Sequence, residues 1–109
     1  MKGLTVLLVD DEPLMRLSMM DALEAVGCEV QAASTGTEGL EAIREKTYDV
    51  VITDLRLPGV DGLTVLQAAK GKEPQTEVLV ITAHGSVETA VEAMKLGAYD
   101  YISKPFMSD

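Results

Sequence analysis

Short apolar runs alternate with amphipathic segments along the whole chain, and this alternation limits the possible folds more than any other feature. Strands are predicted at Leu4–Val9, Glu29–Ala33, Asp49–Thr53, Glu77–Ile81 and Tyr99–Ile102. Helices are predicted between them at about 13–26, 36–46, 62–71 and 86–96. A regular succession of strand and helix favours an α/β fold, in which helices cover both faces of a parallel, doubly wound sheet.

The predicted helices carry recognisable signals at their ends. Pro13 suits the first turn of the first helix, and Gly27 is expected to stop it. Ser86 is a predicted N-cap for the last helix, and Gly97 follows its end. The apolar residues of the first helix recur at helical spacing and are predicted to face the core: Met15, Met19, Ala22, Leu23 and Val26.

Handedness makes the prediction sharper. If the strand order is 2-1-3-4-5, right-handed crossovers place the second, third and fourth helices on one face and leave the first helix alone on the other. One helix cannot cover five strands, and after Ile102 the chain continues only to Asp109. The sequence therefore reads as a domain cut after its fifth strand, without a final helix. We expect an exposed apolar patch on that face, relieved by self-association or accompanied by a loss of stability.

Composition limits the function classes. With 109 residues, 47% of them hydrophobic, the chain is expected to form one domain with its own core. A net charge of −9 argues against direct nucleic-acid binding, which requires many Lys and Arg contacts to phosphate.

Cys28, the single cysteine, is predicted to be a buried thiol, and the lack of a disulfide framework fits a cytoplasmic protein. No apolar run approaches the roughly 20 residues of a membrane span, and Met1–Val9 does not resemble a secretory signal.

Charged residues follow three of the predicted strands. Asp10 and Asp11 follow the first, Asp54 follows the third, and Lys104 follows the fifth. The carboxyl ends of parallel strands share one edge of the sheet, where ligand sites gather. Neighbouring carboxylates at 4 Å repel by roughly 1 kcal/mol in water and by about 4 kcal/mol at an effective dielectric constant of 20. A divalent cation would relieve this repulsion, and carboxylates are ligands of Mg²⁺.

Each of these residues also has an ordinary structural interpretation. The Asp10-Asp11-Glu12 turn could be an acidic N-terminus for the first helix, favoured by the helix dipole. Thr82 could be a plain turn residue at the end of the fourth strand, or its hydroxyl could donate to an anion at Asp54. Tyr101 is expected to pack in the core, and His84 is expected to be a loop residue without a ligand role.

Taken in order, these motifs resemble the receiver domain of two-component response regulators. The motifs are Asp10-Asp11, then Asp54 followed by Leu-Arg-Leu-Pro-Gly-Val-Asp-Gly, then Thr82-Ala83, then Lys104-Pro105. The segment from Thr82 to Phe106 most resembles the nitrogen-regulation class. Receivers of that class usually precede an ATPase module, which acts on the alternative sigma factor, and a DNA-binding tail.

The resemblance implies a flavodoxin-like, five-stranded sheet of order 2-1-3-4-5 and a signalling switch rather than an enzyme. It implies that Asp54 accepts a phosphoryl group, and that Asp10 and Asp11 hold Mg²⁺ together with Asp54 and the backbone carbonyl of Arg56.

The resemblance also implies how the signal is read and by which partners. Thr82 and Lys104 would bind the phosphoryl oxygens, and the rotamer of Tyr101 would follow Thr82. The implied partners are a sensor histidine kinase, an output domain outside this chain and a second copy in a homodimer. We hypothesise that the kinase contacts Leu14, Leu17 and Phe106, although local packing would explain these residues equally well.

Two other function classes fit the sequence less well. A Mg²⁺-dependent aspartyl phosphatase or phosphotransferase usually has a second acid two residues after its nucleophile, where this chain has Arg56. A flavodoxin-like flavin binder would need a Ser/Thr/Gly-rich phosphate loop after the first strand. The acidic Asp10-Asp11-Glu12 turn occupies that place and would repel a flavin phosphate.

Overall fold

A computed structural model describes residues 3–83 and 85–104. The strands are β1 (Thr5–Val9), β2 (Glu29–Ala33), β3 (Val50–Asp54), β4 (Glu77–Thr82) and β5 (Asp100–Ser103). The helices within these residues are α1 (Pro13–Ala25), α2 (Gly36–Glu45), α3 (Gly62–Lys72) and α4 (Val87–Lys95). Every boundary lies within one residue of its predicted position.

The five strands form one parallel sheet in the order β2-β1-β3-β4-β5, as predicted. In the centre, Leu7 of β1 pairs with Gln31 of β2 and with Val51 of β3. At the carboxyl edge, Asp54 pairs with Ile81, and Thr82 pairs with Ser103. The last residues of β3, β4 and β5 therefore lie along a single edge of the sheet.

Alternation along the strands divides the apolar residues between two cores. Leu7 and Val9 of β1 belong to the larger core, to which α2, α3 and α4 contribute buried side chains such as Ile43, Leu66 and Ala93. Val6 and Leu8 belong to the smaller core under α1, which is formed with Cys28, Ile52 and Ile81. Three helices on one face and α1 on the other is the arrangement that the handedness argument predicts.

Helix α1 differs from the prediction in two of its core positions. Met19 and Leu23 pack against the smaller core as expected, but Met20 joins them. Ala22 is exposed, and Val26 is 56% exposed. Val26 lies outside the sheet contact because the helix ends at Ala25 and Val26 adopts non-helical cap geometry, with φ −100° and ψ 12°.

The predicted helix signals are confirmed where the structure describes them. The Ser86 hydroxyl accepts a hydrogen bond from the Thr89 backbone N–H, and the Thr89 hydroxyl bonds back to Ser86, which closes a capping box at the start of α4. Gly27 and Gly97 have φ values of +98° and +104°, which a side chain would disfavour, and they follow α1 and α4.

The face covered by α1 leaves part of the sheet open among the described residues. Leu79 of β4 and Ile102 of β5 are only partly buried there, which is where the apolar patch was expected. Residues 105–109 lie outside the described residues, as does His84, so predictions that involve Pro105, Phe106 or His84 have no structural counterpart. Within residues 3–83 and 85–104, no helix is long and apolar enough to cross a membrane.

Candidate functional site

The predicted charged residues meet at the carboxyl edge of the sheet. Asp10 directly follows β1, Asp54 is the last residue of β3, and Thr82 is the last residue of β4. Lys104 follows β5, and its backbone N–H donates to the Thr82 carbonyl at 2.7 Å. Parallel pairing thus brings together residues that are far apart in the sequence.

The ammonium group of Lys104 is the centre of this cluster. Its Nζ lies 3.0 Å from Oδ2 of Asp10, 2.9 Å from Oδ2 of Asp54 and 2.7 Å from Oε1 of Glu12. The Lys104 side chain is 3% exposed, whereas that of Glu12 is 61% exposed. Three acidic groups therefore share one buried positive charge, which screens their mutual repulsion.

Asp10 is fully buried and held from several directions. Its Oδ1 accepts a hydrogen bond from the Glu12 backbone N–H at 2.9 Å, and its backbone carbonyl accepts one from Nη1 of Arg16 at 2.8 Å. Burial raises the pKa of the Asp10 carboxyl, while the hydrogen bonds from Glu12 and Lys104 partly oppose that rise. Burial thus disfavours the charged form of the Asp10 carboxyl, and the donors from Glu12 and Lys104 stabilise that form.

Burial and hydrogen bonding also have opposite effects on the pKa of Lys104. Burial on its own lowers the pKa of its ammonium group, but hydrogen bonds to Glu12, Asp54 and Asp10 outweigh that effect and raise the pKa above its ordinary value of 10.5. Lys104 is therefore a permanent cation at neutral pH.

Asp54 is nearly buried but borders an opening. Its Oδ1 accepts from the Arg56 backbone N–H at 3.2 Å, while Oδ2 binds Lys104. A cavity of about 230 Å³ reaches it, lined by Asp11, Glu12, Asp54, Arg56, Ala83 and Lys104. The cavity gives a small charged group a route to the Asp54 carboxylate.

Within the described residues, the carboxylates that converge differ from the predicted metal ligands Asp10, Asp11 and Asp54. One oxygen each of Asp10, Glu12 and Asp54 lies within 4.8 Å of the others. Asp11 is exposed and lines the cavity instead. The sequence prediction did not include Glu12 as a site residue. The signal that the sequence offered for it is its acidic side chain in the Asp10-Asp11-Glu12 turn that follows β1.

The chemistry of these donors fits a hard divalent cation. Carboxylate oxygens are the ligands preferred by Mg²⁺, and three acids share this edge of the sheet with a fourth, Asp11, at the cavity wall. The acidic group could therefore bind a metal ion.

Thr82 and Tyr101 lie next to each other across Gly85. A Cβ at Gly85 would come 2.2 Å from the Tyr101 hydroxyl oxygen and 2.9 Å from Cγ2 of Thr82. Thr82 is fully buried. The Tyr101 hydroxyl forms a 2.8 Å hydrogen bond with the Thr89 hydroxyl in the first turn of α4. Tyr101 thereby connects the edge of the site to α4, and its ring packs against the larger core, as expected.

The loop after Asp54 approaches the site closely at its end. The Gly62 backbone N–H donates to the Leu55 carbonyl at 2.8 Å. A Cβ on Gly62 would come 2.1 Å from the Asp54 carbonyl oxygen, so only glycine allows α3 to begin there. Asp61 caps α3 by accepting from the Thr64 backbone N–H. The start of α3 therefore packs directly against the backbone of Asp54.

Comparisons with known proteins agree on one family. Residues 6–109 match the model of the response regulator receiver domain. The chain is 42% identical, over all of its length, to a putative NtrX-like response regulator from Rickettsia felis. It is 40% identical, over 95% of its length, to the DNA-binding transcriptional regulator NtrC of Escherichia coli. The chain spans 23% and 22% of these two relatives.

Solved structures lead to the same fold. The beryllofluoride-activated NtrC4 receiver domain dimer superimposes with a TM-score of 0.87 at 40% identity, covering 94% of this chain and 85% of the other. A CheY-like receiver domain protein from Methanospirillum hungatei gives a TM-score of 0.92 at 31% identity, covering 97% and 85%.

Proposed function

The chain belongs to the response regulator receiver domain family, whose members are phosphorylation-controlled signalling switches rather than enzymes, and we propose that its Asp54 accepts a phosphoryl group from a sensor histidine kinase. The observation that carries the proposal is the position of Lys104. Its ammonium lies 2.9 Å from the Asp54 carboxylate, at the wall of a cavity that opens to solvent.

In the proposed reaction, an oxygen of the Asp54 carboxylate attacks the phosphorus of a phosphohistidine. The new P–O bond forms as the P–N bond breaks, and the histidine nitrogen keeps the electron pair and takes up a proton. Transfer of this kind depends mainly on positioning and on neutralising charge. The Arg56 backbone N–H positions one oxygen of Asp54, and Lys104 supplies positive charge beside the other.

Mg²⁺ is the proposed cofactor. When bound, it would neutralise the charge that develops between an anionic donor and an anionic acceptor. We propose that Asp10, Asp11 and Asp54 hold it together with the Arg56 backbone carbonyl. The burial of Asp10 and its convergence with Asp54 support these two ligands, and Asp11 lines the cavity beside them. Thr82 and Lys104 are the proposed contacts of the phosphoryl oxygens.

The proposed output is a shift in the position of α4 and β5. A phosphoryl group adds charge and acceptor oxygens beside Thr82. Movement of Thr82 would change the space around Gly85, against which the Tyr101 hydroxyl packs. Since Tyr101 bonds to Thr89, α4 would respond. A coupling free energy of about 1–3 kcal/mol is typical of such switches.

The partners follow from the family and from the size of the relatives. Residues 1–109 are proposed to act as the receiver domain of a larger regulator, with an ATPase and DNA-binding output that activates transcription. The NtrX-like and NtrC relatives, of which the chain spans less than a quarter, support this proposal. We propose that Leu14 and Leu17, which are 81% and 55% exposed on α1, contact the kinase. The last proposed partner is a second copy of this chain, which the dimer formed by the NtrC4 receiver domain supports.

The decisive experiment is phosphorylation by acetyl phosphate, followed by intact-mass measurement with and without Mg²⁺. The wild-type protein should gain one phosphoryl group only when Mg²⁺ is present, with no turnover of a separate substrate. Asp54→Asn should gain none, whereas Asp21→Asn, which removes an exposed charge on α1, should behave as wild type. An undiminished gain in Asp54→Asn would reject Asp54 as the acceptor.

A further inference from the structure

Glu12 is the N-cap residue of α1, but its side chain binds Lys104 and does not cap the helix. The N-cap side chain of a helix ordinarily accepts a hydrogen bond from the first turn, but Glu12 makes no such bond. Its carboxylate instead contacts Nζ of Lys104 at 2.7 Å, the shortest of the three ion pairs there. The Asp10 carboxylate holds the Glu12 backbone N–H and so fixes the turn that brings this side chain to Lys104.

The hydrogen-bonding capacity of Lys104 sets a limit. An ammonium group has three N–H donors, and Asp10, Glu12 and Asp54 provide three acceptors at 2.7–3.0 Å. Lys104 can therefore offer a phosphoryl oxygen an unshared N–H donor only if one of these acceptors is released.

The burial of the three acids indicates which one leaves. Asp10 is 0% exposed, so its release would leave a buried charge without a partner, which is costly. Asp54 would carry the phosphoryl group on one oxygen, and its other oxygen would stay an acceptor beside Lys104. Glu12 is 61% exposed, so water can replace the ammonium around its carboxylate at little cost.

We infer that Glu12 is a positioning residue that competes with the phosphoryl group for Lys104. In the unphosphorylated state its carboxylate occupies the third donor of Lys104, and in the phosphorylated state a phosphoryl oxygen takes its place. Glu12 thereby opposes the phosphorylated state. The inference rests on the proposed function of Asp54 and Lys104, and it assigns Glu12 a role other than holding the cation.

Two variants of Glu12 separate the contact from the charge. Glu12→Gln keeps the length of the side chain and removes its charge, and Glu12→Asp keeps the charge but is one methylene shorter. Glu24→Gln is the control, because it removes one exposed charge from α1 at a distance from the site. The probe is beryllofluoride, the anion in the activated NtrC4 receiver structure. Its dissociation constant is measured by calorimetry at saturating Mg²⁺, and thermal melts confirm that each variant is folded.

Both Glu12 variants should bind beryllofluoride about three-fold more tightly than wild type, as expected for loss of a competing, half-exposed ion pair. Glu24→Gln should bind as wild type does. A Mg²⁺ titration without beryllofluoride gives a second readout. The dissociation constant should not rise in Glu12→Asp, which keeps the charge, whereas Glu12→Gln should bind Mg²⁺ somewhat more weakly because a nearby negative charge is lost.

Three results would overturn the inference while leaving the proposed function in place. They are an unchanged beryllofluoride affinity in both variants, an effect of Glu12→Gln that Glu12→Asp lacks, or a clear loss of Mg²⁺ affinity in Glu12→Asp, which would make Glu12 a cation ligand. Failure of the wild-type protein to bind beryllofluoride would instead refute the proposed function, and the inference with it.

Discussion

Replacement of Lys104 by methionine tests the electrostatics of the site most directly, because it removes the ammonium and keeps much of the side-chain volume. Loss of one partner from a buried ion pair typically costs about 3–5 kcal/mol, because the other charge remains buried. Asp10 and Asp54 are 0% and 8% exposed, so they would bear this cost, while the exposed Glu12 would add about 1 kcal/mol or less.

The cavity at Asp54 lets water reach part of the cluster, so we expect a cost at or just below the lower limit of that range. Lys104→Met should reduce the free energy of unfolding by about 2–3 kcal/mol at pH 7 without metal, and lower Tm by roughly 10 °C or more. The matched control is Lys95→Met, which removes an exposed lysine from the end of α4 and should change stability little.

The pH dependence of the stability difference between wild type and Lys104→Met is a second test, and the direction of the change can be predicted. The pKa of Lys104 is raised in the folded protein, so its stabilising contribution is fully present below 10.5 and is lost as the pH rises through the higher folded value. The pKa of Asp10 is also raised, so protonation below neutrality removes the buried charge that the variant leaves unpaired. The difference between wild type and Lys104→Met in urea unfolding should therefore shrink as the pH falls from 7 towards 4. A difference no larger than that of Lys95→Met, or one that grows in acid, would refute this account.

Two further substitutions have matched controls within the chain. Gly62→Ala should destabilise the fold by about 2 kcal/mol in urea unfolding, because its Cβ would lie 2.1 Å from the Asp54 carbonyl oxygen. Gly71→Ala, in the same helix with nothing within 4 Å, should be neutral or stabilising, and equal losses would contradict the packing argument. Leu14→Ala should slow phosphoryl transfer from a sensor kinase that labels the wild type, while labelling by acetyl phosphate stays unchanged. Val26→Ala, equally apolar but at the far end of α1, should affect neither, and parallel losses in both assays for Leu14→Ala would argue against docking.

The fold could be predicted from the sequence because its signals are local. Apolar runs marked the strands, and Gly27, Ser86 and Gly97 marked helix ends that the structure confirms. The handedness of crossovers then placed α1 apart from the other helices. The position of Val26 was wrong because α1 ends at Ala25 and Val26 is a non-helical cap. Ala22 was wrong because the buried stripe runs through Met19, Met20 and Leu23, which leaves Ala22 exposed.

The site was predictable to a different degree. The order of strands brings Asp10, Asp54 and Lys104 to one edge, and the structure places them in contact. The roles assigned to them remain predictions. Glu12 was missed because its interaction partner is 92 residues away and its position as N-cap suggested only a helix-end role. Which carboxylates converge depends on side-chain direction, and residue spacing alone does not determine it.

The contact between Lys104 and Asp10 joins residues 94 positions apart and adds a constraint on biosynthesis. During translation, β1 leaves the ribosome long before Lys104 is added, so Asp10 at its end is at first without the cation that neutralises it. Pairings of such long range form slowly compared with local ones. If Asp54 has the proposed role, a nascent polypeptide could not be phosphorylated there until β5 has docked, so its response would report that the sheet has assembled.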